Sequence, residues 1–157
     1  MPVALDLIDL QLLEELQLNA DRSNVELART VGLSPTATLH RIRRLKESGV
    51  VNRIVAQLDP TSAGFPIHVY AMVTLPTHDD ASYRRFTEAI KSMPEVISAD
   101  SVTGETDVML VVVAREVAEL QRVLVRLSTR GGASRIVTLL RLEELKSASP
   151  LPLRNPK

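Results

Sequence analysis

Leu5, Ile8, Leu12 and Leu16 recur near the start of the chain at intervals of three and four, with Leu13 beside them. That spacing lays one apolar stripe along a helix of 3.6 residues per turn. Asp6 stands where a carboxylate caps such a helix or meets its positive end. The polar stretch 19–23 breaks the pattern. Ser23 or Asn24 then opens a second helix, with Glu26 in its first turn and Val25, Ala28 and Val31 as its apolar side. Gly32 ends it, because glycine takes a left-handed backbone without steric cost. Ser34 caps a third helix, and Pro35 sits in its first turn, where a missing N–H is not needed. That helix runs to about Ser48, and Gly49 closes it. Two helices joined by a short glycine turn make a helix-turn-helix.

At about 100° per residue, Leu39, Ile42 and Leu45 fall on one side of the third helix. Thr36, Ala37, His40, Arg41 and Arg44 fall on the other. Short side chains at the front allow close approach to base edges, and arginine reaches guanine or phosphate. Ser34, Thr36, Ala37, His40, Arg41 and Arg44 are therefore the expected DNA-binding set. The bland alternative is a solvated basic face on a helical bundle. Residues 50–58 then alternate weakly as an extended segment carrying Arg53, of the kind that forms a wing or leads away from DNA.

Beyond the turn residues of 59–66, the periodicity changes. Ile67, Val69, Ala71, Val73 and Leu75 alternate with His68, Tyr70, Met72 and Thr74, which predicts a strand. Tyr83, Phe86, Ile90 and Met93 make a helical stripe that Pro94 stops. A strand over 96–103, a hairpin at Thr103-Gly104-Glu105-Thr106 and an unbroken apolar strand over 108–114 follow. Val117, Leu120, Leu124 and Leu127 predict a further helix, and a last strand runs from about Ser134 to Lys146. The order is β-α-β-β-α-β. Right-handed crossovers put both helices on one face of a four-stranded sheet. The first and third strands are nevertheless apolar on both faces, so the other face needs a cover, and a second subunit is the simplest one. The expected organisation is a DNA-binding domain over 1–60, a linker over 61–66, a sheet domain over 67–147 and a tail over 148–157.

Composition narrows the function classes. The 157 residues suit one or two small domains, and 45% hydrophobic with 24% charged residues excludes a disordered chain. Cysteine is absent, which removes disulfides and thiolate chemistry and suits a reducing compartment. No apolar run reaches the roughly 20 residues of a membrane span, and Asp6 and Asp9 replace the basic start of a signal peptide. A cytoplasmic location is expected. Lys+Arg (19) and Asp+Glu (19) cancel overall. Residues 34–54, however, hold Arg41, Arg43, Arg44, Lys46 and Arg53 against Glu47 alone, a net of +4. Charge is thus concentrated on one face of a neutral chain.

Catalytic and metal chemistry find no support. His40, His68 and His78 are scattered, and a solvent or helix-surface role is expected for each, with contact to DNA as the alternative for His40. Asp79-Asp80 and Glu143-Glu144 are adjacent pairs that read as solvated, Ser34 has no base, and no phosphate loop or nucleophile elbow occurs. No catalytic residue, metal or cofactor is expected.

Leu5-Asp6-x-x-Asp9, Leu12-Leu13-x-x-Leu16, Arg22, Glu26-Leu27-Ala28, Val31-Gly32-Leu33-Ser34, Arg41-Ile42-x-x-Leu45 and Gly49-Val50-Val51 together resemble the start of an Lrp/AsnC, or feast/famine, transcription regulator. Asp59-Pro60, Gly64, Val102-Thr103-Gly104-Glu105-x-Asp107 and Leu151-Pro152-Leu153 continue the likeness through nearly the whole chain. The resemblance implies an α+β chain: a winged helix-turn-helix followed by a ferredoxin-like ligand-sensing domain that dimerises through its sheet. It also implies further assembly, often to octamers, with an amino-acid effector bound between dimers. It places effector contacts on Thr103, Gly104, Glu105, Asp107 and Thr138. Two positions depart from the family's habit: Val108 replaces the usual aromatic, and Gly132-Ala133 replaces Gly-Val. The function expected is sequence-specific binding of double-stranded DNA by a homo-oligomer that responds to a small molecule, with no membrane partner. The competing class is a ligand-binding or enzymatic α+β domain whose helical segment serves assembly; such a protein has no need of a basic outward face over 36–44.

Overall fold

The computed structural model of the chain describes residues 4–77 and 79–153. His78 therefore lies outside the described residues. Those residues divide into two units, one of 4–56 with 146–153 and one of Gln57–Leu145.

The first unit is helical: α1 (Leu7–Leu18), α2 (Asn24–Val31) and α3 (Pro35–Glu47). Its helix starts are set by local hydrogen bonds. The Asp6 carboxylate accepts the Asp9 N–H while the Asp9 carboxylate accepts the Asp6 N–H, a reciprocal cap. Ser23 and Glu26 repeat the arrangement at α2, and the Ser34 hydroxyl accepts the Ala37 N–H at α3. Gly32 takes φ of 69° between α2 and α3, which lets Leu33 N–H reach back to the Ala28 carbonyl. Leu12, Leu13, Leu27, Val31, Ile42 and Leu45 form the core, with Leu5, Ile8, Leu16, Leu33, Val51 and Leu153 packed around it. The buried side of α2 is thus Leu27, Ala28 and Val31, whereas Val25, expected to be inward, is half exposed.

Leu153 belongs to that core although it comes from the other end of the chain. Gln17 holds the returning segment by both backbone groups of Leu151: the Leu151 N–H donates to Gln17 Oε1 at 2.6 Å, and Gln17 Nε2 donates to the Leu151 carbonyl at 3.4 Å. The expected extended segment over 50–58 forms no strand, and Ile54, Val55 and Leu58 stand exposed along it.

The second unit is β1 (Ile67–Thr74), α4 (Asp80–Lys91), β2 (Val96–Ser101), β3 (Val108–Ala114), α5 (Val117–Thr129) and β4 (Arg135–Leu140). The sheet order is β2-β3-β1-β4, antiparallel throughout, so the two most apolar strands are central. Val69, Ala71 and Val73 of β1 and Val108, Leu110 and Val112 of β3 meet Phe86 of α4 and Val123 and Leu127 of α5. Both helices therefore cover one face. The alternate positions His68, Tyr70 and Met72 of β1, Met109 and Val111 of β3 and Leu139 of β4 line the other face, and no helix covers them.

Two boundaries differ from expectation. β2 stops at Ser101 and carries an irregularity at Ile97. β4 stops at Leu140 rather than near Lys146, although Leu142 and Leu145 continue an apolar pattern. Its partner runs out: Leu140 pairs with Val69, the Arg141 N–H takes the His68 carbonyl, and Pro66, just before β1, has no N–H to offer. Among the described residues no helix is long and apolar enough to cross a membrane.

Candidate nucleic-acid interface and effector loop

The inward stripe of α3 is Thr38, Ile42 and Leu45, spaced four and three apart. Leu39, expected on that side, is 48% exposed instead. The stripe is rotated because Thr38 can be buried without cost: its hydroxyl donates to the Ser34 carbonyl at 3.1 Å and its methyl packs. The outward face is then Thr36, His40 and Arg43, flanked by Leu39 and by Arg44, with Ala37 half-buried. Ser34 is exposed at the head of the helix, and its hydroxyl is engaged as the cap.

The rotation changes the standing of the arginines. Arg41, expected to face outward, is turned toward α1 and its side chain is only 27% exposed. Its guanidinium donates to Asp6 at 2.6 Å and to Asp9 at 2.9 Å. Arg44 donates to the other oxygen of Asp9 at 2.5 Å while remaining 53% exposed. Asp9 itself is 1% exposed. The Asp6 carboxyl is held below its usual range, first by the Asp9 N–H and then by the Arg41 hydrogen bond. Arg41 is held more firmly protonated, by Asp6 first and Asp9 second. Arg43, absent from the expected set, makes no ion pair among the described residues and is exposed. Its signal was present in the spacing: it follows Thr36 by seven and His40 by three, so it shares their face. The +4 block of 34–54 is also reduced to +2 where Asp6 and Asp9 fold onto it. Lys46 and Arg53 add positive charge around a shallow depression that Val51, Asn52 and Ile54 complete.

In the sheet unit, the hairpin after β2 closes with Val102 N–H donating to the Asp107 carbonyl at 3.1 Å. Gly104 takes φ of 120° there, a backbone that side chains resist, and its Cβ position is open space. Thr103, Gly104 and Glu105 are exposed. Asp107 is buried: its N–H donates to the Val73 carbonyl, and its carboxylate accepts the Leu75 N–H at 2.7 Å. Thr106 donates to the same Val73 carbonyl at 2.8 Å. The loop is thus pinned to the end of β1. Thr138 is exposed and pairs with Ala71, whereas Asp107 lies level with Thr74 beyond the Val73–Val108 pair. Three residues along the strands and two strand spacings across separate them, about 14 Å at the backbone. One chain does not bring Thr138 to the Gly104 loop.

His68 departs from the surface role expected of it. It lies on the helix-free face of β1, its ring 5.6 Å from that of Tyr70, and neither ring nitrogen has a hydrogen-bond partner or reaches solvent. Burial is the first cause that lowers its pKa; Arg141 lowers it further, and Glu144 raises it. Among the described residues no group of three His, Asp or Glu could hold a metal ion.

Comparison with known proteins gives a consistent result for both units. Residues 5–52 match the profile of a winged helix-turn-helix DNA-binding family, and residues 68–151 match that of the Lrp/AsnC ligand binding domain. The leucine-responsive regulatory protein of Rhizobium meliloti is 35% identical over 147 residues, 93% of this chain and 94% of its own length. The Bkd operon transcriptional regulator of Pseudomonas aeruginosa is 36% identical over 150 residues, 94% of this chain and 98% of its own. A transcriptional regulator of Neisseria meningitidis, solved as its L-Met complex, superposes with a TM-score of 0.88 at 30% identity, covering 96% of this chain and 97% of that one.

Proposed function

The chain belongs to the Lrp/AsnC family of DNA-binding transcription regulators, and from that premise we propose how its residues divide the work. The outward face of α3 reads double-stranded DNA. The observation that carries this is the face itself: capped by Ser34, short at Thr36 and Ala37, then basic at His40 and Arg43, with Arg44 on its flank. Arg43 takes the outward base-reading or phosphate role. Arg44 reaches DNA from the flank, and Arg41 serves by bracing the helix against α1.

The protein works as a homodimer built on the helix-free face of the sheet, where a second copy covers Tyr70, Met72 and Val111. Two recognition helices then address two half-sites. Dimers assemble further, to octamers, and an amino acid binds between them on Thr103, Gly104, Glu105 and Asp107 of one subunit and Thr138 of another. The 14 Å between Asp107 and Thr138, about three residues and two strands, supports a site shared by subunits. The L-Met complex of the Neisseria regulator supports an amino acid as the ligand class. Transcription regulators as relatives point to a protein that binds and does not catalyse, working in the cytoplasm without a cofactor.

Binding of full-length protein to random-sequence duplexes and to duplexes it selects from a random pool tests the reading. Arg43→Ala should weaken binding by about 1–3 kcal/mol with fold and assembly intact. Unchanged affinity would move the reading surface off α3.

A further inference from the structure

Asp9 is a charged group on α1, yet both of its oxygens face α3. Oδ1 accepts Arg41 at 2.9 Å; Oδ2 accepts Arg44 at 2.5 Å and the Asp6 N–H at 3.1 Å. Its own N–H is taken by Asp6, so the reciprocal cap fixes the carboxylate in place before any arginine arrives. A cap needs no buried carboxylate, and an α1–α3 contact could be made with apolar groups. The arrangement instead sets two negative charges against two of the cations on the DNA-binding helix.

Resting on the DNA-binding role given above, we propose that Asp9 is a positioning residue for sequence discrimination. It holds the Arg44 guanidinium in one direction and, with Asp6, withholds Arg41 from phosphates. Non-specific DNA binding is electrostatic and grows with each cation free to displace a counterion. Base readout depends on where a side chain points. Tying two arginines to fixed carboxylates lowers the first and preserves the second. Arg44 is bound to Asp9 through Nη2 yet remains half-exposed, so its approach to DNA starts from a carboxylate-held position.

The test uses full-length protein, one duplex selected by the wild type from a random pool and one random-sequence duplex, each titrated across a salt series. Asp9→Asn keeps an oxygen for the Asp6 N–H and removes the charge. It should raise affinity for the random duplex and steepen its salt slope by about one, while the preference for the selected duplex falls by about tenfold, as for one misplaced base contact. Asp6→Asn keeps a good cap and should steepen the random-duplex slope by less. If Asp9→Asn loses its helical signal, Asp6→Asn decides: an unchanged slope overturns the proposal. Parallel loss of both affinities with an unchanged slope in Asp9→Asn makes Asp9 a plain staple between helices and also overturns it. A wild type that binds no duplex at any salt overturns the DNA-binding role itself, a result the two variants cannot mimic.

Discussion

The helical unit closes its core within one chain, whereas the sheet unit carries its helices, α4 and α5, on one face only. Leu12, Leu27 and Leu45 meet at the centre of three helices, and even the buried polar groups there, Thr38 and Asp9, find partners. In the sheet, Val112 and Leu110 are fully enclosed by α4 and α5, but Tyr70, Met72 and Val111 on the reverse side have no helix over them. His68 on that side keeps both ring nitrogens unpartnered. The contrast separates two kinds of site. One can be described from a single chain, because a helix end and its caps present it. The other, on the proposed reading, needs a second copy to complete it.

The contrast breaks most sharply with a charge on the bare face. Val111→Asp should cost dimerisation about 3–5 kcal/mol, the scale of an unpaired buried charge, and leave a folded monomer in sedimentation. Dimers of unaltered strength would mean that copies meet elsewhere. The next largest effect concerns the effector. A ligand at 100 times its Kd stabilises wild type by about 2.7 kcal/mol, and Asp107→Ala should lose that gain in a thermal-shift screen of amino acids. Retained stabilisation would place the ligand away from the hairpin.

A third change sharpens the claim that the helical unit is self-sufficient only with its C-terminal segment. Leu153→Ala should destabilise that unit by about 1–2 kcal/mol, a partly buried leucine's share, seen as earlier loss of helical signal in denaturant. An unshifted midpoint would reduce the segment to decoration. The smallest effect is the protonation of His68. Its folded pKa is depressed below the ordinary 6.5, so its contribution is present above that value and is lost as pH falls through the folded pKa. Stability should therefore decline from neutral pH toward pH values below 6.5, and His68→Gln should flatten that slope. A wild-type profile identical to the variant's would show the ring to be solvated in the assembly.

Local signals carried much of the fold. Asp6, Ser23 and Ser34 act on backbone within three residues of themselves, so their caps are visible in a short window. The alternation of β1 and the unbroken β3 announce central strands because burial is their cause. What stayed hidden was set from a distance. Asp9 meets Arg41 and Arg44 from 32 and 35 residues away, and no helical wheel of α3 contains that information. The apolar stripe also takes Leu39 as inward and leaves Thr38 out, since hydrophobicity alone does not show that the Ser34 carbonyl satisfies the threonine hydroxyl. Periodicity overextends β4 because Leu142 and Leu145 keep the rhythm of a strand after its neighbour has ended. The placement of effector residues came from resemblance alone, and the separation of Thr138 from Asp107 gives that placement a physical condition that periodicity does not supply.

The return of Leu151 and Leu153 to the helical unit bears on the order of events during synthesis. Domains ordinarily fold as they leave the ribosome, the N-terminal one first. Here Leu153, which follows the sheet strands in the chain, packs against the core of the first-made helices. A chain truncated before Leu151 keeps every sheet strand but lacks the segment that packs on its helical core. A fusion joined directly behind Leu153 therefore adjoins the DNA-binding unit rather than the sheet.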